Sequence, residues 1–204
     1  MSMLRELFGP SKDEIWAQLS KDIGADFKKG GAFQHSKVTL QHREWEITLD
    51  THTVIAGKAV IVLTRLRAPY VNPDGHRFRI YRKSVFSWLG KLLGAQDIEI
   101  GVRSFDESFI IQSRSETFVK HVLANPRIRE LMERQPDIHF EVKDDEGWFG
   151  TTFPNGVDEL YFQAFGVLKD VEQLKALFDL FALVLDDLCR HGSAYEGEPG
   201  VHVA

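Results

Sequence analysis

The chain has 204 residues, of which 43% are hydrophobic and 27% charged, with a formal net charge of -5 at pH 7. This composition is typical of a folded protein with one large or two small domains, and it excludes bulk disorder. The negative charge argues against general binding to nucleic-acid phosphates, although a local basic surface remains compatible with it.

The first predicted element is an amphipathic helix over Lys12–Lys29, preceded by an extension of residues 1–10. Ser11 and Glu14 have the spacing of a capping box at the start of this helix. Gly30 and Gly31 follow it, as glycine often follows the last turn of a helix. Its apolar residues recur at helical spacing: Trp16, Leu19, Ile23 and Phe27.

Beyond this helix the apolar residues alternate with polar ones, which is typical of half-buried strands. Strands are predicted over Lys58–Arg67 and Arg77–Lys83, with a turn at Pro73–Gly75 between them and with Phe78 and Ile80 pointing inward. Ahead of them lies a predicted antiparallel hairpin whose buried residues are Val38, Leu40, Trp45, Ile47 and Leu49.

A short apolar helix is predicted over Val85–Leu93. Alternating residues at strand spacing follow it: Ile98, Ile100, Val102, Phe109 and Ile111. Ser115 begins a helical region that Asn125 and Pro126 divide into two helices, because asparagine suits an N-cap and proline the first helical position.

The last third of the chain contains predicted strands and one long helix. The strands are Ile138–Val142, Trp148–Thr152 and Asp158–Gly166, and turns are predicted at Asp144–Gly147 and Pro154–Gly156. Asp170 is predicted to cap the final helix and Gly192 to end it, and an apolar face almost surrounds this helix. Residues 193–204 have no periodicity and are predicted to be a flexible tail.

These elements predict an α+β domain over residues 11–192. An antiparallel sheet packs against the N-terminal helix, a central helix pair and the long C-terminal helix. The order helix, hairpin, strand occurs from Lys12 to Arg67 and again from Pro126 to Gly166, which favours a duplicated α-β-β-β unit with halves 11–96 and 97–192. A chance likeness between two ordinary three-strand patterns is the alternative.

Two adjacent acids lie in the stretch SFDESFIIQSRS, which covers Ser104–Ser115. General acid–base catalysis needs two groups that converge on one centre. Neighbours in an extended chain point to opposite faces, so Asp106 and Glu107 do not suit that role. The structural interpretation is that Phe105 anchors a turn, Asp106 caps it and Glu107 faces water.

The surrounding segment DIEIGVRSFDESFIIQSRSETFVKHVLANPRIRELM, Asp97–Met132, resembles a loosely defined family of uncharacterised bacterial domains of unknown function. In that family an aspartate after phenylalanine precedes a strand, a polar turn and a helix. The resemblance implies no activity, and some members include membrane-spanning segments. Here the longest apolar stretch, Ala176–Leu185, contains Asp179 and is too short to span a bilayer.

A basic surface is the first candidate site. If the predicted strands Lys58–Arg67 and Arg77–Lys83 pair directly, their guanidiniums and one aromatic ring form a planar cluster suited to binding an acidic protein or a small anion. The alternative is that Glu44, Glu46 and Asp50 neutralise this cluster through cross-strand ion pairs. The candidate residues are Arg65, Arg67, Arg77, Arg79, Tyr81 and Lys83.

A hydrophobic cavity under the final helix is the second candidate, and dense core packing is its alternative. The candidate lining residues are Phe153, Phe162, Phe165, Phe178 and Phe181. The third candidate is a zinc or iron site of His35, Asp50 and His52, which meet only if the first hairpin turns at His42–Arg43.

The sequence favours a non-enzymatic binding module that recognises an acidic partner through the arginine-rich sheet face. The alternatives are a protein that binds a small hydrophobic ligand and a metal-dependent enzyme. No cofactor is predicted, because the phosphate-binding, nucleophile-elbow and metal motifs are missing. Cys189 is the single cysteine and no export signal is visible, which predicts a cytoplasmic location. Trp88 is a candidate contact in a homodimer.

Overall fold

The computed structural model describes residues 9–31, 35–84, 97–144, 153–190, 192, 194, 197 and 199–201. Within them the helices are α1 (Lys12–Ile23), α2 (Arg103–Ser108), α3 (Glu116–Ala124), α4 (Pro126–Glu133) and α5 (Val171–Arg190). The strands are β1 (Asp26–Lys28), β2 (Lys37–His42), β3 (Trp45–Ala56), β4 (Ala59–Val71), β5 (Phe78–Arg82), β6 (Phe109–Ser113), β7 (His139–Lys143) and β8 (Val157–Phe165).

The eight strands form one open antiparallel sheet in the order β1-β2-β3-β4-β8-β7-β5-β6, which confirms the predicted α+β fold. Alternation along each strand separates two faces. On one face, Leu66 and Phe162 pair across β4 and β8 and lie in a core shared with the helices. The opposite face, which we call the outer face, carries Asp50, Arg65, Arg67, Arg79, Tyr81, His139, Glu141, Tyr161 and Gln163.

The helix α1 begins as predicted but ends earlier. Ser11 and Glu14 form the capping box, in which the Ser11 hydroxyl accepts from the Glu14 backbone N–H. The helix ends at Ile23 because Gly24 takes a left-handed conformation, with φ of 69°, that favours glycine. Asp26–Lys28 is then a strand paired with β2, so the prediction of helix to Lys29 is wrong.

The first hairpin is confirmed, with Trp45, Ile47 and Leu49 fully buried. Its turn lies at Arg43 and Glu44, because His42 pairs with Trp45. The predicted turn at His42–Arg43 is therefore displaced by one residue. Later elements agree with the predicted boundaries to within a few residues, except that β3 continues to Ala56 and β4 to Val71. Ile98, Ile100 and Val102 alternate at strand spacing but form no strand, and the helix α2, which was not predicted, follows them.

Capping residues define the remaining helices as the sequence predicts. Ser115 and Asn125 cap α3 and α4, with Pro126 in the first turn of α4. The Asp170 carboxylate accepts from the Gln173 backbone N–H at 2.8 Å at the start of α5. Gly192 follows the end of α5 with φ of 72°.

The two adjacent acids have structural roles. Phe105 is buried in α2 and stacks on Phe109 at 4.2 Å. The two carboxylate oxygens of Asp106 accept from the backbone N–H groups of Ile100 and Gly101 at 2.9 and 3.0 Å. Exposed Glu107 pairs with Arg103 on the same short helix. The anchoring, capping and solvent-facing roles are confirmed, in a helix rather than an extended turn.

Several predictions fall outside the described residues: the Val85–Leu93 helix with Trp88, the Trp148–Thr152 strand, and most of the turn after Asp144. The internal duplication and the flexible tail stay predictions. Two described tail residues contact the domain, since Ala194 is buried and Val201 packs against Phe153 and Val157.

Candidate functional site

The residues of the predicted basic surface are divided among three parts of the sheet. Strands β4 and β5 are not neighbours, because β8 and β7 lie between them. Arg65 and Arg67 therefore do not lie beside Arg79 and Tyr81, and the prediction of one planar arginine cluster is wrong. The reason is long-range strand pairing. Later in the chain, β7 pairs with β5, and β8 then fills the position between β7 and β4.

Asp50 organises the first part of this face. Arg65 donates from Nε and Nη2 to its two carboxylate oxygens at 2.9 and 2.8 Å, and Arg67 donates from Nη2 at 2.6 Å. The side chain of Arg67 is only 1% exposed. Both arginines lie on β4 two residues apart, so they share a face and converge on one carboxylate of the neighbouring strand.

The pairing of β2 with β3 also contradicts the predicted metal site. With Val38 opposite Leu49, the register is shifted by two residues from the one that would place His35 opposite Asp50. Asp50 instead binds two guanidiniums. No three histidine, cysteine or acidic side chains of the described residues lie close enough together to hold a metal ion. The structure does not bring His35, Asp50 and His52 together.

A second network crosses the centre of the outer face. Arg79 donates from Nε to Glu141 at 2.6 Å, and His139 Nε2 lies 3.3 Å from the other oxygen of Glu141. The Gln163 amide lies 3.0 Å from His139 Nδ1 and accepts from the Tyr161 hydroxyl at 2.9 Å. Three adjacent strands, β8, β7 and β5, are joined in this way.

The ionisation of this network is fixed by its environment. Burial would raise the pKa of Glu141, but hydrogen bonding and the charges of His139 and Arg79 outweigh it and lower the pKa to about 2. Burial raises the pKa of the Tyr161 and Tyr81 hydroxyls. Proton transfer at neutral pH needs a pKa near 7, whereas these three groups titrate far from neutrality. Glu141, Tyr161 and Tyr81 therefore do not suit general acid–base chemistry at neutral pH.

Glu141 should make stability depend on acid pH. Its pKa in the folded state, about 2, lies below the ordinary value of 4.5, so its stabilisation is complete above pH 4.5 and is lost as the pH falls towards 2. The contribution amounts to up to about 3 kcal/mol. Urea unfolding between pH 2.5 and 6 should show a steeper loss for wild type than for Glu141→Gln. Parallel curves for the two proteins would contradict this assignment.

The third part of the basic surface lies at the ends of β5 and β7. Arg77 donates to both oxygens of buried Asp158 at 2.9 and 3.0 Å and to Asp144 at 2.8 Å. The Lys143 ammonium lies 3.3 Å from Glu159 and 3.4 Å from the centre of the Tyr161 ring.

Cross-strand neutralisation, the alternative considered for the basic surface, is therefore confirmed for Arg65 and Arg67, which pair with Asp50 of β3. Arg77 and Arg79 are neutralised by acids that this alternative did not name. Of the three acids proposed for it, only Asp50 forms ion pairs with these arginines, and it binds both Arg65 and Arg67. Glu141 and Asp158, which sequence analysis missed, bind the others. Glu141 alternates with apolar Phe140 and Val142, and that pattern placed it on the outer face.

A groove of about 1140 Å³ opens beside this third part. Arg77 and Arg79 line it together with Arg114, Asp97 and Glu99. Lys83, the last residue of the predicted basic surface, donates to the Asp106 carbonyl at 2.7 Å and lies 3.7 Å from the Asp97 carboxylate. Arg114 is exposed and, within the described part of the chain, has no ion-pair partner.

The five phenylalanines proposed for a cavity do not enclose a common space. Phe162, Phe178 and Phe181 are buried in the main core on the helix side of the sheet. Phe165, three residues after Phe162, lies on the outer face and is 45% exposed, because alternate residues of a strand point to opposite faces. Phe153 belongs to a separate small cluster with Val157. The predicted cavity is wrong for this set of residues.

No known family model, curated protein or solved structure matches the chain. The resemblance of Asp97–Met132 to uncharacterised bacterial domains stays a prediction. Among the described helices, none combines the length and the apolar character needed to cross a membrane.

Proposed function

We propose that the protein is a non-enzymatic binding module that recognises a short acidic segment of a partner in the groove beside β5 and β7. The main support for this proposal is Arg114, an exposed cation in the groove without an ion-pair partner in the described residues. An unpaired guanidinium has all five N–H donors available for a carboxylate.

Two further arginines support this proposal. The side chains of Arg77 and Arg79 are 41% and 42% exposed, and internal acids already orient them in ion pairs. Preorganised guanidiniums lose less entropy when they bind a ligand. Four acids also line the groove, so a few carboxylates complement it better than a long polyanion such as nucleic acid does. They are Asp97, Glu99, Glu116 and Asp144.

The ion pairs also decide which variant tests the proposal. Arg77→Glu or Arg79→Glu would place a carboxylate beside Asp158 or Glu141, which are 2% and 7% exposed, and would destabilise the fold. Arg114→Glu reverses a charge that has no such partner among the residues that the structure describes. It is the variant that separates binding from folding.

Arg114→Glu is expected to weaken binding of an acidic peptide by about tenfold, which corresponds to about 1.4 kcal/mol. The probe is a fluorescein-labelled peptide with four consecutive glutamates, measured by fluorescence anisotropy in low salt. Lys21→Glu, an equal charge reversal at the exposed end of α1, is the matched control and should leave the affinity within a factor of two. Equal affinity of the Arg114 variant and wild type would contradict the proposed site.

A further inference from the structure

The hairpin of β3 and β4 extends beyond the rest of the sheet. β2 pairs with β3 only as far as Leu49, and β8 pairs with β4 only from Leu63 onward. The pairs from Thr53 and Val62 to Ala56 and Ala59 therefore have no further strand beside them among the described residues. We call residues 53–62 the ribbon.

The ribbon exposes apolar side chains on both of its faces. Ile55 and Val60 form a cross-strand pair on one face and are 74% and 68% exposed. Val54 pairs with Ile61 on the other face and is 36% exposed. Residues 51–64 contain no acid and a single charge, Lys58. A partner protein on one face would leave the other in water, whereas a lipid surface surrounds both.

Three lysines lie near the base of this ribbon and one lies at its tip. Lys28 pairs with Lys37 at the start of β2, next to the point where β3 leaves its neighbour. Lys169 follows Leu168, whose backbone N–H donates to Thr64 on β4 at 3.0 Å. Lys58 lies in the turn at the tip. Within the described part of the chain these four lysines have no ion-pair partner.

Three acids at the same end of the sheet are engaged elsewhere. Asp50 binds Arg65 and Arg67, Asp13 accepts from the Ser36 hydroxyl at 2.7 Å, and Asp170 caps α5. The net charge of the whole chain is -5. The four lysines, which have no ion-pair partner among the described residues, therefore give this end of the sheet a charge opposite in sign to that of the whole chain.

We propose that the ribbon and its surrounding lysines dock the protein onto a membrane that contains anionic lipids. Ile55 and Val60 enter the boundary between headgroups and acyl chains, to the depth of roughly 5–10 Å at which apolar faces of peripheral proteins reside. The flexible stem of Lys58 lets its ammonium reach back to the lipid phosphates. Lys28, Lys37 and Lys169 add attraction to the anionic surface. This site is separate from the groove.

The test is sedimentation of the full chain with vesicles of phosphatidylcholine containing 30% phosphatidylserine, compared with pure phosphatidylcholine. Wild type should bind the anionic vesicles, and raising the salt should weaken binding. Ile55→Ser/Val60→Ser should lower the partition coefficient at least tenfold, since it removes the inserted apolar groups. Lys58→Gln/Lys169→Gln should lower it by about fivefold for each lysine at low salt.

Lys21→Gln/Lys120→Gln is the charge-matched control, because it removes two exposed cations away from the ribbon. It should bind like wild type, and a loss equal to that of the ribbon lysines would overturn the proposal by showing a general charge effect. Absence of wild-type binding at low salt would also overturn it. So would a wild-type dimer in light scattering that Ile55→Ser/Val60→Ser dissociates, since a second copy would then cover the ribbon. The acidic-peptide measurement is independent of all these outcomes.

Discussion

Asp50→Ala is expected to lower the free energy of unfolding by about 3 to 5 kcal/mol, the cost of removing one partner from a buried ion pair. Arg65 and Arg67 both donate to this carboxylate, at distances between 2.6 and 2.9 Å. Arg67 is 1% exposed, so water cannot replace the lost oxygens without movement of the strands. The two positive charges would also remain next to each other on β4.

Urea unfolding followed by circular dichroism at pH 7 measures this change. Glu44→Ala is the matched control, because Glu44 is an exposed acid in the turn before β3 and its loss should change stability by no more than about 0.5 kcal/mol. Asp50→Asn keeps the shape of the side chain and should fall between alanine and wild type. Equal stability of the Asp50 and Glu44 variants would show that the ion pairs do not support the sheet.

Local patterns predicted most of the elements because each depends on a few adjacent residues. Ser11, Asn125 and Asp170 identify helix starts through caps that act within three residues. The failure at the end of α1 has a local cause as well. Phe27 fits the helical spacing set by Trp16 and also a strand, and Gly24 decides between the two by ending the helix.

The site could not be predicted to the same degree because register and strand order are set at long range. Moving the hairpin turn by one residue shifts every opposing pair by two, which separates His35 from Asp50. The sequence also contains no local signal that β8 and β7 lie between β4 and β5. The acids that neutralise Arg77 and Arg79 come from those two strands, so their role became visible only in the assembled sheet.

Phe162→Ala is expected to cost about 3 to 5 kcal/mol of unfolding free energy, because it leaves a cavity in the centre of the core. Phe162 is fully buried and lies opposite Leu66 on one side and Phe140 on the other. Phe140 in turn packs edge-on against Phe181 of α5, with 5.6 Å between the ring centres. Loss of the Phe162 ring removes contacts on both neighbouring strands at once.

Phe165→Ala is the matched control for this prediction. It removes the same ring from the same strand three residues later, but Phe165 lies on the outer face and is 45% exposed, so its loss should cost no more than about 1 kcal/mol. The comparison by urea unfolding therefore measures the separation of the two faces directly. Similar losses for both variants would mean that Phe162 and Phe165 do not lie on opposite faces of β8. The assignment of the outer face would then be wrong.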